Sequence, residues 1–215
     1  MSGYAIKEMF LTLQGEGLQA GRRAVFIRFA GCNLWSGRER DRPQADCTFC
    51  DTDFVGINGD NGGRYPDAAA LAERALELWG CGIEEEGAHP FAVLTGGEPL
   101  LQLDTILIDA LKTRRFELAI ETNGTIPVPN GIDWICVSPK AGNEVVQRHG
   151  NELKLVWPQP GVDFKMMEEW DFDHLLVQPM DGASMRDARE ACIKFVIQHP
   201  RWRLSLQNHK LIGLR

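Results

Sequence analysis

The sequence predicts an α/β fold, a partial and abbreviated (β/α) barrel of about six parallel strands with some crossover helices missing. Three observations point there. Short apolar runs of strand length recur along the chain, helical patterns lie between several of them, and one strand-to-strand connection is rich in turn residues rather than helix formers. A length of 215 residues, at 24.1 kDa, suits one domain over residues 1–215 and is enough to bury a core without disulfide staples.

Buried strands are expected at 24–29, 91–95, 116–121, 134–137, 153–157 and 174–178, and the run 202–206 reads the same way. Helices are expected at 66–79, opened by Pro66 and closed by Gly80, at 103–113, and at 184–198, where Ser184 and Asp187 mark the start and Pro200 the end. Between 121 and 134 lie twelve residues, 122–133, that include Asn123-Gly124, Pro127 and Pro129-Asn130-Gly131. A parallel crossover needs about a dozen residues with a helix among them, so this connection is expected to lack one. The polar stretch 35–46 reads as a loop.

Hydrophobic residues make up 44% and charged ones 25%, a balance that excludes wholesale disorder. Thirty acidic against 23 basic side chains give a net charge of −7, so the chain lacks the general attraction for phosphate backbones on which nucleic-acid binders depend. Arg22, Arg23 and Arg28 are the candidates for a local basic patch, and no direct nucleic-acid partner is expected. No apolar run is long enough to span a bilayer, and Lys7 and Glu8 interrupt any signal-peptide core; the expected location is the cytoplasm, with no membrane partner.

Cys81, Cys136 and Cys192 are isolated in sequence, and the last two sit in apolar runs where a thiol serves as a small core residue. Cys32, Cys47 and Cys50 differ: they form C-x14-C-x2-C directly after the first strand of the expected set. A Cys-x2-Cys pair puts two thiolates on one side of a tight loop, which suits a soft metal or an iron–sulfur cluster. A structural zinc site wants four protein ligands, and this segment holds three, so zinc requires a distant His149, His174 or His209. Three thiolates on a [4Fe–4S] cluster leave one iron open for a cofactor or substrate. Thr95-Gly96-Gly97-Glu98-Pro99 ends the next strand. Its two glycines let a ligand approach the backbone and Glu98 accepts from an ammonium, though an ordinary strand-to-helix turn has the same composition.

The cysteine trio with Phe49 before its last member, followed by Gly-Gly-Glu-Pro, resembles the radical S-adenosylmethionine superfamily, from whose common C-x3-C-x2-C spacing this chain departs in the first gap. That departure, with residues 8–17 (EMFLTLQGEG), Arg28–Leu34, Cys50-Asp51-Thr52, Glu121–Gly124, Ser138–Lys140 and Gln178–Asp181, is similar to the 7-carboxy-7-deazaguanine synthase family along nearly the whole chain. The tail departs, ending Gly213-Leu214-Arg215 where the family carries a proline. The resemblance implies a [4Fe–4S] cluster on Cys32, Cys47 and Cys50, in a loop of about residues 31–51, and S-adenosylmethionine against Gly96, Gly97 and Glu98. Ser138, Pro139, Lys140 and Gln178, Pro179, Met180, Asp181 complete that pocket. It also implies Mg2+ at Thr52, where the residues alone favour Asp51 or Asp53. The implied substrate, 6-carboxy-5,6,7,8-tetrahydropterin, meets Leu13, Gln14, Gly15, Glu16, Arg28, Thr95, Glu121, Asn123 and His209. From residues alone, 13–16 reads as a hairpin turn, Arg28 is almost equally a buried ion pair with an acidic residue, and His209 equally a solvated tail residue.

The reaction so implied is a lyase step of queuosine and 7-deazapurine biosynthesis, serving tRNA modification. A radical generated on S-adenosylmethionine removes hydrogen from carbon 6 of the pterin, and a Mg2+-assisted ring contraction expels ammonia to give 7-carboxy-7-deazaguanine. No side chain is implied as a catalyst of its own. The expected partners are a flavodoxin- or ferredoxin-type electron donor, since no second cysteine cluster is present, and a second copy of the chain in a homodimer. Two other readings of the same cysteines are an activase that makes a glycyl radical in a partner protein and a zinc-loop binding protein without catalysis.

Overall fold

The computed structural model describes residues 3–80 and 88–214; Cys81 and Arg215 lie outside the described residues. Nine strands form one sheet in the order β3-β1-β2-β4-β5-β6-β7-β8-β9. They are β1 (Tyr4–Leu13), β2 (Arg23–Phe29), β3 (Gly63–Tyr65), β4 (Phe91–Gly96), β5 (Glu117–Thr122), β6 (Trp134–Val137), β7 (His149–Trp157), β8 (Asp171–Pro179) and β9 (Trp202–Leu204). From β2 through β9 every neighbouring pair is parallel. β1 runs antiparallel to β2, and β3 antiparallel to β1. Each expected strand is present.

The helices are α1 (Ala68–Gly80), α2 (Thr105–Thr113), the single turn α3 (Phe164–Met167), α4 (Met185–Gln198) and α5 (Asn208–Ile212). Side chains cap the starts of α1 and α2. Asp67 accepts from the Ala70 amide at 2.8 Å, and Asp104 from the Leu107 amide at 2.9 Å. No helix among the described residues is long and apolar enough to cross a membrane.

Two strands escaped the sequence reading. β3 has only three residues. β1 lacks clean alternation because a bulge falls between Ile6 and Glu8, so that Ile6 and Met9, three apart, are both fully buried. The residues 14–16 therefore form the connection from β1 to β2 and do not precede the sheet.

Helices cover one face of the sheet in two patches. α1 and α2 pack on the β1–β5 side around Ile27, Leu94, Leu107 and Ile120. α4 packs on the β7–β9 side around Leu155, Val177, Phe195 and Trp202. Between the patches the connections on either side of β6 hold no helix. Instead they pack on each other: the amides of Val146 and Gln147 donate to the Gly124 carbonyl at 2.9 and 3.1 Å. Gly124 has φ +79°, and a Cβ there would meet Val137 at 2.6 Å.

The expected barrel is corrected to an open sheet, whose edge strands β3 and β9 do not pair. The curl is bridged by a turn rather than a strand. Leu18 donates its amide to Glu152 of β7 at 2.8 Å, Gly17 to the Ser205 hydroxyl at 3.0 Å, and Asn208 to the Gly15 carbonyl at 2.9 Å. The β1–β2 turn thus reaches strands at the far side of the sheet.

Trp202 anchors the β9 end. It is 1% exposed, edge-on to Phe195 at 5.5 Å, and its indole N–H donates to Glu168 at 2.8 Å. Trp202→Ala is expected to destabilise the fold by about 3–5 kcal/mol through the cavity it leaves. Urea unfolding followed by circular dichroism measures this; a midpoint equal to that of the unsubstituted protein would contradict the anchoring.

Candidate functional site

The sheet face without helices is polar, and a cavity of about 360 Å³ lies over it at the C-terminal ends of the parallel strands. Register builds its floor. Arg28 of β2 stands beside Thr95 of β4, and Glu121 of β5 beside Cys136 of β6. The Thr95 hydroxyl is 3.5 Å from Glu121, and the Gln14 amide donates to Glu121 at 3.1 Å.

The centre of this floor is Lys154, a residue that sequence reasoning left unassigned. Its side chain is only 5% exposed, and its ammonium pairs with Glu16 and lies 3.4 Å from Glu121. Gln207, also unassigned, donates to the other oxygen of Glu16 at 2.9 Å. Burial pushes the Glu16 carboxyl upward, but the Lys154 charge and hydrogen bonds from Lys154, Gln207 and Gln178 together bring it down to about 2. Burial opposes the charge of Lys154, yet Glu121 and Glu16 hold its ammonium well above the ordinary value. A sequence signal existed: Lys154 interrupts an apolar strand as Arg28 does, and a charge there requires partners.

Arg28 finds Glu8, its cross-strand neighbour, at 2.9 Å through Nε. That supplies the ion pair that the sequence left open, while Arg28 also lines the cavity. Arg22 pairs with Glu117 at 2.6 Å, and the Arg23 guanidinium lies over Trp79 at 5.0 Å, so the three arginines do not form a common basic patch.

Cys32, Cys47 and Cys50 are free thiols on one wall of the cavity. Among the described residues no three His, Cys, Asp or Glu side chains converge closely enough to share one ion. Three thiols on one wall are the soft donor set that an iron–sulfur cluster takes. His174 stacks on Trp134 and His149 lies against Gln147, and neither borders the cavity, whereas His209 does. Burial raises the thiols of Cys32 and Cys47; Lys140 opposes this at Cys47. Cys136 and Cys192 are buried singly.

The Gly-Gly-Glu-Pro turn interlocks with the cysteine loop. A Cβ on Gly97 would meet the Gly31 carbonyl at 2.1 Å and Cys32 at 2.8 Å, and one on Gly96 would meet the Phe29 carbonyl at 2.4 Å. Both glycines still border the cavity. Glu98 does not, which corrects the expectation that its carboxylate meets an ammonium. It is fully buried and accepts from the Leu100 amide, the Thr122 hydroxyl and the Asn123 amide at 3.1, 2.9 and 2.8 Å.

Leu13, Gly15, Thr52, Asn123, Ser138, Lys140, Gln178, Pro179, Asp181 and His209 all border the cavity. Pro139 and Met180 do not; their backbones bond to Gln159 and Trp157. Lys140 donates to the Ser138 carbonyl and hydroxyl, both at 2.8 Å. His209 is placed by α5, where Gly15 lies so close that a Cβ would meet its Nδ1 at 2.1 Å. Lys210, unassigned from sequence, bridges Asp51 and Asp181, each at 2.6 Å.

Because the folded Glu16 titrates below its ordinary value of 4.5, its pairing stabilises the fold above that pH and is lost as the pH falls through about 2. Glu16→Gln is therefore expected to lower stability at neutral pH, with the penalty shrinking to nothing toward pH 2. Denaturant titrations across that range test it; a penalty independent of pH would contradict the ionised pair.

No protein-family model matches the chain. Among characterised proteins it is 55% identical over 212 residues to the 7-carboxy-7-deazaguanine synthase of Bradyrhizobium diazoefficiens, covering 99% of both chains. It is 54% identical over 211 residues to the protein of that name from Bordetella pertussis, covering 98% of this chain and 99% of the relative. The crystal structure of QueE from Escherichia coli superposes with a TM-score of 0.68 at 27% identity, covering 96% of this chain and 95% of that one. By 55% identity over its full length, this chain belongs to the 7-carboxy-7-deazaguanine synthase family.

Proposed function

We propose that the chain converts 6-carboxy-5,6,7,8-tetrahydropterin to 7-carboxy-7-deazaguanine with release of ammonia, as a radical S-adenosylmethionine lyase of queuosine biosynthesis. The family membership supports the reaction. One observation in the structure carries it: three free thiols open onto the same cavity whose floor presents an arginine and two lysine-paired carboxylates.

Cys32, Cys47 and Cys50 hold three irons of a [4Fe–4S] cluster. The segment 32–50 holds three cysteines and no histidine, which would leave a position on the cluster for S-adenosylmethionine. When bound, cluster and S-adenosylmethionine together supply the one-electron chemistry that the protein's side chains cannot perform. Ser138, Lys140, Gln178 and Asp181 border the space beside the thiols, and the Gly96-Gly97 backbone forms its edge. Glu98 acts indirectly, by fixing the turn against Thr122 and Asn123.

On the substrate side, Arg28 faces the pterin carboxylate, with Glu8 fixing its Nε edge. Glu121, Glu16 and the Gln14 amide offer acceptors and a donor to the N–H edge of a flat heterocycle. The Lys154 ammonium keeps the Glu16 carboxylate ionised and lies 3.4 Å from Glu121. His209 closes the pocket from α5. Thr52, bordering the cavity beside Asp51, would supply a hard oxygen to Mg2+. The electron comes from a flavodoxin- or ferredoxin-type donor, because neither Cys136 nor Cys192 has a cysteine partner. The working form is a homodimer.

Anaerobic reconstitution, followed by mass analysis of products from the carboxylated pterin, tests the reaction: 7-carboxy-7-deazaguanine and ammonia are expected, and their absence from an iron-loaded protein would refute it. Cys50→Ala is expected to abolish iron uptake while the circular dichroism stays unchanged; wild-type iron content in that variant would refute the ligand assignment. Arg28→Gln is expected to weaken the carboxylated pterin by about ten- to a hundredfold in kcat/KM, the worth of a hydrogen bond to a charged group. Equal effects on a pterin lacking the carboxylate would show that Arg28 does not read that group.

A further inference from the structure

The fourteen residues between Cys32 and Cys47 do more than connect them. They fold into a 3-10 helix, Glu39–Gln44, that turns Arg42 back toward the Cys-x2-Cys segment. There Nη1 of Arg42 donates to the carbonyls of Thr48 at 3.0 Å and Cys50 at 3.1 Å. The opposite edge of the guanidinium takes Glu39 in a bidentate pair, with Nε at 2.7 Å. Its flat face lies 4.0 Å from the Trp35 ring centroid. Trp35 is a buried, immobile platform, edge-on to Phe54 at 5.6 Å. Glu39 is 76% exposed and holds little by itself, so the stack and the two carbonyls are what fix the guanidinium.

The carbonyl of Thr48 and the amide of Phe49 belong to one peptide group. In a planar trans peptide the C=O and N–H point in opposite directions. Arg42 drawing the Thr48 oxygen to one side therefore turns the Phe49 N–H to the other, and that N–H favours the thiolate form of Cys47. A similar donor, the Leu34 amide, lies 3.5 Å from the Cys32 sulfur. Amide donors to ligand sulfurs, with a fixed positive charge nearby, favour the more negative, reduced state of an iron–sulfur cluster.

We propose that Arg42 is a positioning residue of the cluster site: by clamping the Thr48 and Cys50 carbonyls it sets the Phe49 amide on the Cys47 sulfur, which retains the cluster and raises its reduction potential. The proposal rests on the cluster reading above and goes beyond it by giving the long first gap a task. Lysine cannot substitute, because a single ammonium has neither the fork that spans two carbonyls and a carboxylate nor the plane that stacks on Trp35.

Arg42→Lys and Arg42→Gln test it in the reconstituted full chain. Both are expected to lose iron to a chelator about tenfold faster than the unsubstituted protein. At its midpoint potential their reduced-to-oxidised ratio, read by electron paramagnetic resonance, is expected to be about tenfold lower, a downward shift of about 59 mV for one electron. In the iron-free proteins, hydrogen exchange at the Phe49 amide is expected to quicken in both variants while the sheet amides keep their protection. Unchanged iron release and an unchanged ratio in both variants would overturn the proposal with the cluster reading intact. A protein that takes up no iron would sink the cluster reading instead, and unchanged exchange at Phe49 would then overturn the clamp as well.

Discussion

A lysine ammonium removed from water governs how this molecule is put together. Lys154 projects from the middle of the sheet, and a cation so placed survives only if anions are brought to it. One anion, Glu121, comes from β5 on the same floor. The other, Glu16, comes from the turn after β1, which lies on the far side of β2 in strand order. For both to meet one ammonium the sheet has to curl until that turn lies across β7. The hydrogen bonds from Leu18 to Glu152 and from Gly17 to Ser205 are the backbone's part of the same bridge.

Once curled, the sheet has two unlike faces. The outer one is apolar and carries α1, α2 and α4 in two patches. The inner one is too polar to be a core and too enclosed to be ordinary surface. Charges on it hold one another in fixed positions, so the hydrogen-bonding groups offered to a ligand are arranged before any ligand arrives. Glu98 does the same for the turns around the thiols: buried with three donors on its carboxylate, it ties the glycine turn after β4 to the turn after β5.

Much of this was legible in the residues because strands and helices carry their own period and punctuation. The runs 24–29 and 91–95 are apolar enough to announce buried parallel strands, and Pro66 and Gly80 mark helix ends by chemistry that depends on nearest neighbours. β1 was not legible because its bulge breaks the alternation that signals a strand. Lys154 and Gln207 were missed for a different reason. Their roles depend on partners 138 and 191 residues away, and no local pattern encodes such a meeting. The glycines read in sequence as room for a ligand, and what approaches Gly97 in the fold is the protein's own Gly31 and Cys32. Glu98 was misread on similar grounds, since a carboxylate beside a cofactor turn looks the same in sequence whether it points outward or inward.

The bridge across the curl has an implication for how such a chamber can change its bore. In a closed barrel, diameter is fixed by strand number and stagger, so resizing means reweaving the hydrogen-bonded wall. Here the circumference is completed by a carboxylate and an ammonium at the ends of flexible stems. Shortening the Glu16 stem by one methylene, as aspartate would, narrows the ring while leaving every ladder in register. Gauge is thus set by side chains, which single codons can alter, and relatives of this architecture have a gradual route to admitting flat heterocycles of different breadth.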